Sequence, residues 1–243
     1  MYFERTGPSP IDQLLNRSES TSGDDSPVTL RDFLEETDII SECRAENRRL
    51  LEYLGTSKAL EELASIVIMR VDTTPTRTPP GDDLGPLEPY RIPSIASEIL
   101  ASEVDWLSER IVSTRSVQTL FFDYLRAVDP GRLDHNIGSL MAKVLSALLR
   151  SKHEMFLSHF EDLDDALYPV DLILKHVDCS PLAEVLIRMI DGADVMRSAR
   201  GSEESPVSIS GMEIFNACNI FDLLSKRFLA CLSARVDGVE VGG

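Results

Sequence analysis

Long apolar runs are missing from this chain of 243 residues. The richest stretch, LASIVIM, falls far short of the ~20 residues needed to cross a bilayer, and the N-terminal MYFERTGPSP carries no apolar signal core. Cysteine is sparse: Cys43, Cys179, Cys218 and Cys231 are scattered, and no two stand at C-x2-C spacing. Secreted disulfide frameworks are dense and short, so the pattern reads as reduced thiols. The expectation is a soluble intracellular protein, in the cytoplasm with the nucleus as a second location. Basic residues are also few, 24 against 41 acidic, for a net charge of -17. A surface of that sign repels the phosphate backbone of nucleic acid and an anionic membrane alike, so neither is expected as a partner.

Motifs that carry chemistry are absent too. The chain has no GxxxxGK, GxGxxG or GxSxG, and none of the GDxHG or GNHE strings of metal-dependent phosphatases. His135, His153 and His159 show no H-x3-H spacing. His176, Asp178 and Cys179 lie close together, but nothing elsewhere supplies the remaining ligands of a metal site. The reading is a non-enzyme with no catalytic residue, cofactor or metal. Strand signals are thin: no Asn-Gly or Asp-Gly turn joins two alternating runs, and no β-grasp pattern precedes the terminal Gly242-Gly243.

Helix signals are present in number, and 43% apolar residues suffice for a sizeable core. Thr29 with Asp32 opens VTLRDFLEE as a capping box, Ser102 pairs with Asp105 as a second, and Ser210 with Glu213 as a third. Periodic stretches run over 58–70, 116–128, 133–151 and 169–177, and Ser180-Pro181 starts another, since proline suits the first helical turn. Two breaks divide them. The Pro/Gly-rich 71–93 reads as a mobile insertion with Thr74-Pro75 and Thr78-Pro79 as proline-directed phosphorylation contexts, and 191–207 is acidic and Ser/Gly-rich. The domain plan is a mobile segment 1–27, a helical-repeat domain 28–191, a linker 192–209, and a helix and tail 210–243. Helix pairs with broad apolar faces stack on one another, so the predicted architecture is an all-α HEAT- or armadillo-like solenoid, with a compact helical bundle as the alternative.

The stretch DIISECRAENRRLLEYL, residues 38–54, predicts one helix closed by Gly55, with Ile40, Cys43, Asn47, Leu50, Leu51 and Leu54 along one face. Cys43 and Arg49 stand at the C-x5-R spacing of cysteine-dependent phosphatases. The intervening RAENR is strongly helix-forming, however, and a helix would use up the amides that such a loop turns toward phosphate. Asn47 reads either as an amide satisfied by backbone or a neighbouring helix, or as a group facing a partner. The arginine flank of Arg44, Arg48 and Arg49 reads as a solvated face paired with Glu42, Glu46 and Glu52, or as a docking patch.

ECRAENRRLLEYL resembles the segment ECKAQNKKLLDFL of the SAPS family, regulatory subunits of protein phosphatase 6. Glu42, Cys43, Ala45, Asn47, Leu50, Leu51 and Leu54 match it, and arginines at 44, 48 and 49 replace lysines. In the same order, IDQLLNR, VTLRDFLEETDII, IPSIASEILASEV, the run from Leu133 to Arg150, and VDLILKHVDCSPLAEVLIRMI are similar to other family segments. The likeness covers about 11–191. An aromatic-rich start is reduced to Tyr2-Phe3, the family's next helix is not found after Ile190, and family members run much longer. The resemblance implies a regulatory or scaffold subunit that binds the catalytic subunit of protein phosphatase 6 and influences its substrate choice, with ankyrin-repeat subunits as further partners. The alternative is a helical adaptor that binds another protein. Arg44, Asn47 and Arg48 are the expected partner-binding residues.

Overall fold

A computed structural model describes residues 8–19, 28–69, 88–156 and 168–199. Among them are eleven α-helices with both ends described, a further helical stretch over 153–156, one short 3-10 turn and no strand. In chain order they are α1 (Pro10–Glu19), α2 (Leu30–Glu35), α3 (Ile39–Arg44), α4 (Arg48–Leu54), α5 (Ser57–Val67), α6 (Arg91–Leu100), α7 (Asp105–Ser113), α8 (Arg115–Ala127), α9 (His135–Ser151), α10 (Tyr168–Lys175) and α11 (Ser180–Ala199). The 3-10 turn, Glu88–Tyr90, leads into α6. No described helix is long and apolar enough to cross a membrane.

The Thr29 capping box forms as expected. The Thr29 backbone N–H donates to Asp32 Oδ2 at 2.7 Å, and the Asp32 N–H reaches back to Thr29 Oγ1. Those bonds favour the ionised carboxylate and hold the Asp32 pKa below its usual value. The Ser102–Asp105 box does not form. Val104 is the N-cap of α7 and no side chain caps it.

Several boundaries differ from expectation. α1 lies inside 1–27 and is docked, because Ile11 and Leu15 stand one turn apart and are both buried. α6 takes in residues 91–93, with Pro93 in its first turn, where no intrahelical N–H is missed. Met69 lies beyond the end of α5 and is exposed. α11 continues to Ala199, past the break placed at 191. The Thr74-Pro75 and Thr78-Pro79 contexts, the Ser210–Glu213 box, His159 and Gly242-Gly243 lie outside the described residues.

Two rows of helices emerge from the packing. α5, α8 and α10 follow one another in the first row; α6, α9 and α11 follow in the second, with α2 and α3 ahead of α6. Cross-helix bonds show the repeat. Tyr90 Oη donates to Asp134 Oδ2 at 2.8 Å, across 44 residues; Arg150 pairs with Glu103 across 47. Lys143 meets Glu98 between them, so α6 and α9 run parallel and in register. In the first row His176 Nε2 lies 2.8 Å from the Leu125 carbonyl, across 51 residues. Sequence separations near 45–50 joining like helices are what stacked helical-hairpin repeats require. Every extensive contact among the described helices joins elements at most four apart in order, the near-neighbour pattern of a solenoid. One continuous apolar core runs through both rows, from Ile11 to Met189.

Close approach fixes two glycines. A Cβ at Gly138 would stand 2.6 Å from Cys179 Sγ, where α9 meets the start of α11. At Gly55 it would stand 2.6 Å from the Trp106 ring. Gly55 has φ -78, so it is needed for space rather than for a left-handed turn.

Candidate partner-binding site

The 38–54 stretch is two helices. Three residues, Ala45 to Asn47, separate α3 from α4. Glu46 takes φ 56 while its N–H bonds to the Cys43 carbonyl at 3.0 Å, and the Asn47 N–H bonds to the Glu42 carbonyl at 3.0 Å. That bond pair closes a helix C-terminus in the Schellman manner, with glutamate where glycine is usual. Asn47 then caps α4. Its Oδ1 accepts from the Leu50 N–H at 3.3 Å, and its Nδ2 donates to Glu42 Oε2 at 2.9 Å. The side chain is thus satisfied locally, by backbone and by Glu42. Asn47→Ala is expected to cost about 1 kcal/mol, the usual worth of an asparagine N-cap, seen as a lower melting temperature by circular dichroism.

The break also separates the arginines. Arg44, at the end of α3, points to Glu98 of α6 at 4.0 Å. Arg48 opens α4 and pairs with Glu52 at 2.8 Å, with its side chain 89% exposed. Glu52, hydrogen-bonded to it, raises the Arg48 pKa further. Arg49 is structural: its Nη2 bonds both Asn16 Oδ1 and Glu19 Oε1 at 2.9 Å, tying α1 to α4. Asn47 sits between Arg44 and Arg48 in sequence and holds the turn that parts them.

Cys43 is fully buried, and its thiol is pushed up to about 12, chiefly by burial and then by the Glu42 charge. The nucleophile of a cysteine phosphatase is a thiolate, which this environment suppresses. At pH 8 its thiolate fraction is on the order of one in ten thousand. Folded protein should therefore react with a disulfide reagent at Cys43 only as it unfolds, and Cys43→Ser should show the same generic phosphatase reading as wild type. Fast labelling of Cys43 in the native state would contradict this assignment.

His176 and Cys179 lie inside the protein. Both are fully buried, because the end of α10 packs against α8 through the Leu125 carbonyl. No group of three or more His, Cys, Asp or Glu side chains among the described residues could hold a metal ion.

Several curated proteins similar to this chain are named as regulatory subunits of one phosphatase. Serine/threonine-protein phosphatase 6 regulatory subunit 3 of Gallus gallus is 30% identical over 188 residues, 77% of this chain and 19% of that protein. Serine/threonine-protein phosphatase 6 regulatory subunit 2 of Homo sapiens is 28% identical over 188 residues, 77% of this chain and 17% of that protein. The chain belongs to the SAPS family. Extragenic suppressor of kinetochore protein 1 of Schizosaccharomyces pombe is also similar, 30% identical over 184 residues, 75% of this chain and 20% of that protein. No family model matches the chain, and no solved structure does. The chain spans about a fifth of the length of these curated relatives.

The SAPS-like segments occupy one continuous part of the stack. ECRAENRRLLEYL forms the end of α3, the Schellman turn and α4; IPSIASEIL forms most of α6; VDLILKHVDCSPLAEVLIRMI spans most of α10 and the first half of α11. Many of their apolar positions are buried, Leu50, Leu54, Ile99, Ile173 and Leu182 among them, while Ile187 is exposed. The SAPS signature around Asn47 is therefore a helix–turn–helix joint. Neither sequence spacing nor helix periodicity could have located that joint, because no glycine or proline marks it.

Proposed function

We propose that this chain is a non-catalytic regulatory or scaffold subunit that binds the catalytic subunit of protein phosphatase 6 and influences its substrate choice. The observation that carries this reading is similarity over 188 residues to proteins named as regulatory subunits of that phosphatase. A helical-repeat solenoid suits the role, since its extended surface can hold an enzyme and a substrate at high effective concentration. Ankyrin-repeat subunits are further partners, and the cytoplasm, with the nucleus as second location, is the proposed site of action. Arg44 and Arg48 are the proposed contacts, and Asn47 contributes by fixing the turn between them.

Co-precipitation from cell extract tests the proposal. Recovery of the protein phosphatase 6 catalytic subunit supports it; recovery of other proteins without that subunit, or of none, refutes it. The double variant Arg44→Glu/Arg48→Glu should melt as wild type does, because exposed charges seldom shift stability by more than about 0.5 kcal/mol. It should recover less phosphatase and lose the salt dependence of the wild-type interaction. Equal recovery by both proteins would return the two arginines to the solvated surface.

A further inference from the structure

Glu98 of α6 stands between two cations from different helices. Its Oε2 is 4.0 Å from Arg44 Nη2 of α3, and its Oε1 is 3.3 Å from Lys143 Nζ of α9. One carboxylate thus faces an arginine and a lysine, leaving one positive charge in excess at the point where three helices meet. Two turns further along α9, Arg150 pairs with Glu103 on the same side of the α6–α9 contact. On α9 the exposed charged positions between 136 and 150 are Lys143 and Arg150, both basic. The chain as a whole is strongly acidic, with a net charge of -17.

Stability does not require this arrangement. Arg44 and Lys143 are 67% and 43% exposed, and exposed ion pairs contribute little to folding. The spacing does fit an anion, since it already accommodates one carboxylate between the two cations. An anionic bilayer would meet a wide area of a chain whose net charge is -17 and be repelled. A single extended peptide needs only the local cations that Arg44 and Lys143 present.

We propose that the ridge of Arg44, Lys143 and Arg150 binds an acidic segment of a protein partner through its carboxylates, with Glu98 as the internal competitor that the segment displaces. This deepens the regulatory-subunit reading by naming the chemistry of a partner. The test uses no phosphatase, so the two readings fail separately.

The experiment is fluorescence anisotropy of a short labelled peptide of alternating glutamate and serine, added to the whole chain at low salt. Wild type should bind, and binding should weaken as salt shortens the Debye length from about 10 Å at 0.1 M toward about 3 Å at 1 M. Arg44→Gln and Lys143→Gln should each weaken binding about threefold, the scale of one exposed ion pair. Glu98→Gln should strengthen it by a similar factor, an opposite sign that a merely structural role for the trio does not produce. Arg44→Lys and Lys143→Arg, which keep the charge, should bind like wild type, and all variants should melt with it. Three results would each overturn the proposal: no binding by wild type, weaker binding by Glu98→Gln, or binding confined to a phosphoserine peptide or to anionic vesicles.

Discussion

Phe33→Ala is expected to destabilise the fold by about 3–5 kcal/mol, the usual cost of deleting a buried aromatic ring. Phe33 is fully buried on α2, and its ring centroid lies 4.6 Å from that of Tyr53 on α4, tilted by 35°. The pair joins two helices that are not consecutive, across the first joint of the stack. Burial, followed by the Glu62 and Asp32 charges, raises the Tyr53 pKa, as expected of a phenol set into that joint. Truncation would leave a ring-sized cavity and strip Tyr53 of its partner, losing the aromatic pair term of about 0.5–1.5 kcal/mol as well as the transfer term. For a chain of this size each kcal/mol moves the melting temperature by about 2–4 °C, so a fall of roughly 6–20 °C is expected by circular dichroism. Because repeats contact mainly their neighbours, hydrogen exchange should rise first in α1–α4 and later in α9–α11. A loss below about 1 kcal/mol would show that the site refills, and a uniform rise in exchange would argue for one indivisible cooperative unit.

Leu50→Ala should cost about 2–5 kcal/mol. Leu50 is fully buried in the first turn of α4, and its N–H is the donor that Asn47 caps. Its neighbour Arg48 lies in the same turn but faces solvent, so Arg48→Glu alone should change stability by no more than about 0.5 kcal/mol. The contrast tests the placement of the turn. Were 38–54 one straight helix, Asn47 would sit on the buried stripe with no capping role. As two helices, Asn47→Ala and Leu50→Ala act on one small structure and should couple, since contacting residues are seldom additive. Additive melting shifts in the double variant would count against the cap.

Helical character, the Thr29–Asp32 box and the proline at the start of α11 were all legible in the sequence, because each rests on contacts within one or two turns. The reason for a lack of chemistry at Cys43 was not legible: RAENR turns rather than continuing a helix, and it is burial of the thiol that suppresses the thiolate. The family likeness was legible, in ordered segments many of whose apolar positions are buried. The candidate site was legible only in part. Arg44, Asn47 and Arg48 are adjacent in sequence, but the structure turns Arg44 toward Glu98 and Arg48 toward Glu52, with Asn47 as the cap between.

What this sequence determined by itself is where the chain is helical and which residues have an apolar face, because period and capping are local. Tertiary structure alone decided where the 38–54 stripe breaks. A three-residue turn with glutamate at positive φ keeps the apolar positions nearly in phase, so two short helices carry the pattern of one. It also decided which groups meet across the stack: Glu98 with Arg44 and Lys143, His176 with the Leu125 carbonyl, Trp106 over Gly55. Partners some 50 residues apart leave no local trace, because stacking sets their register and spacing along the chain does not.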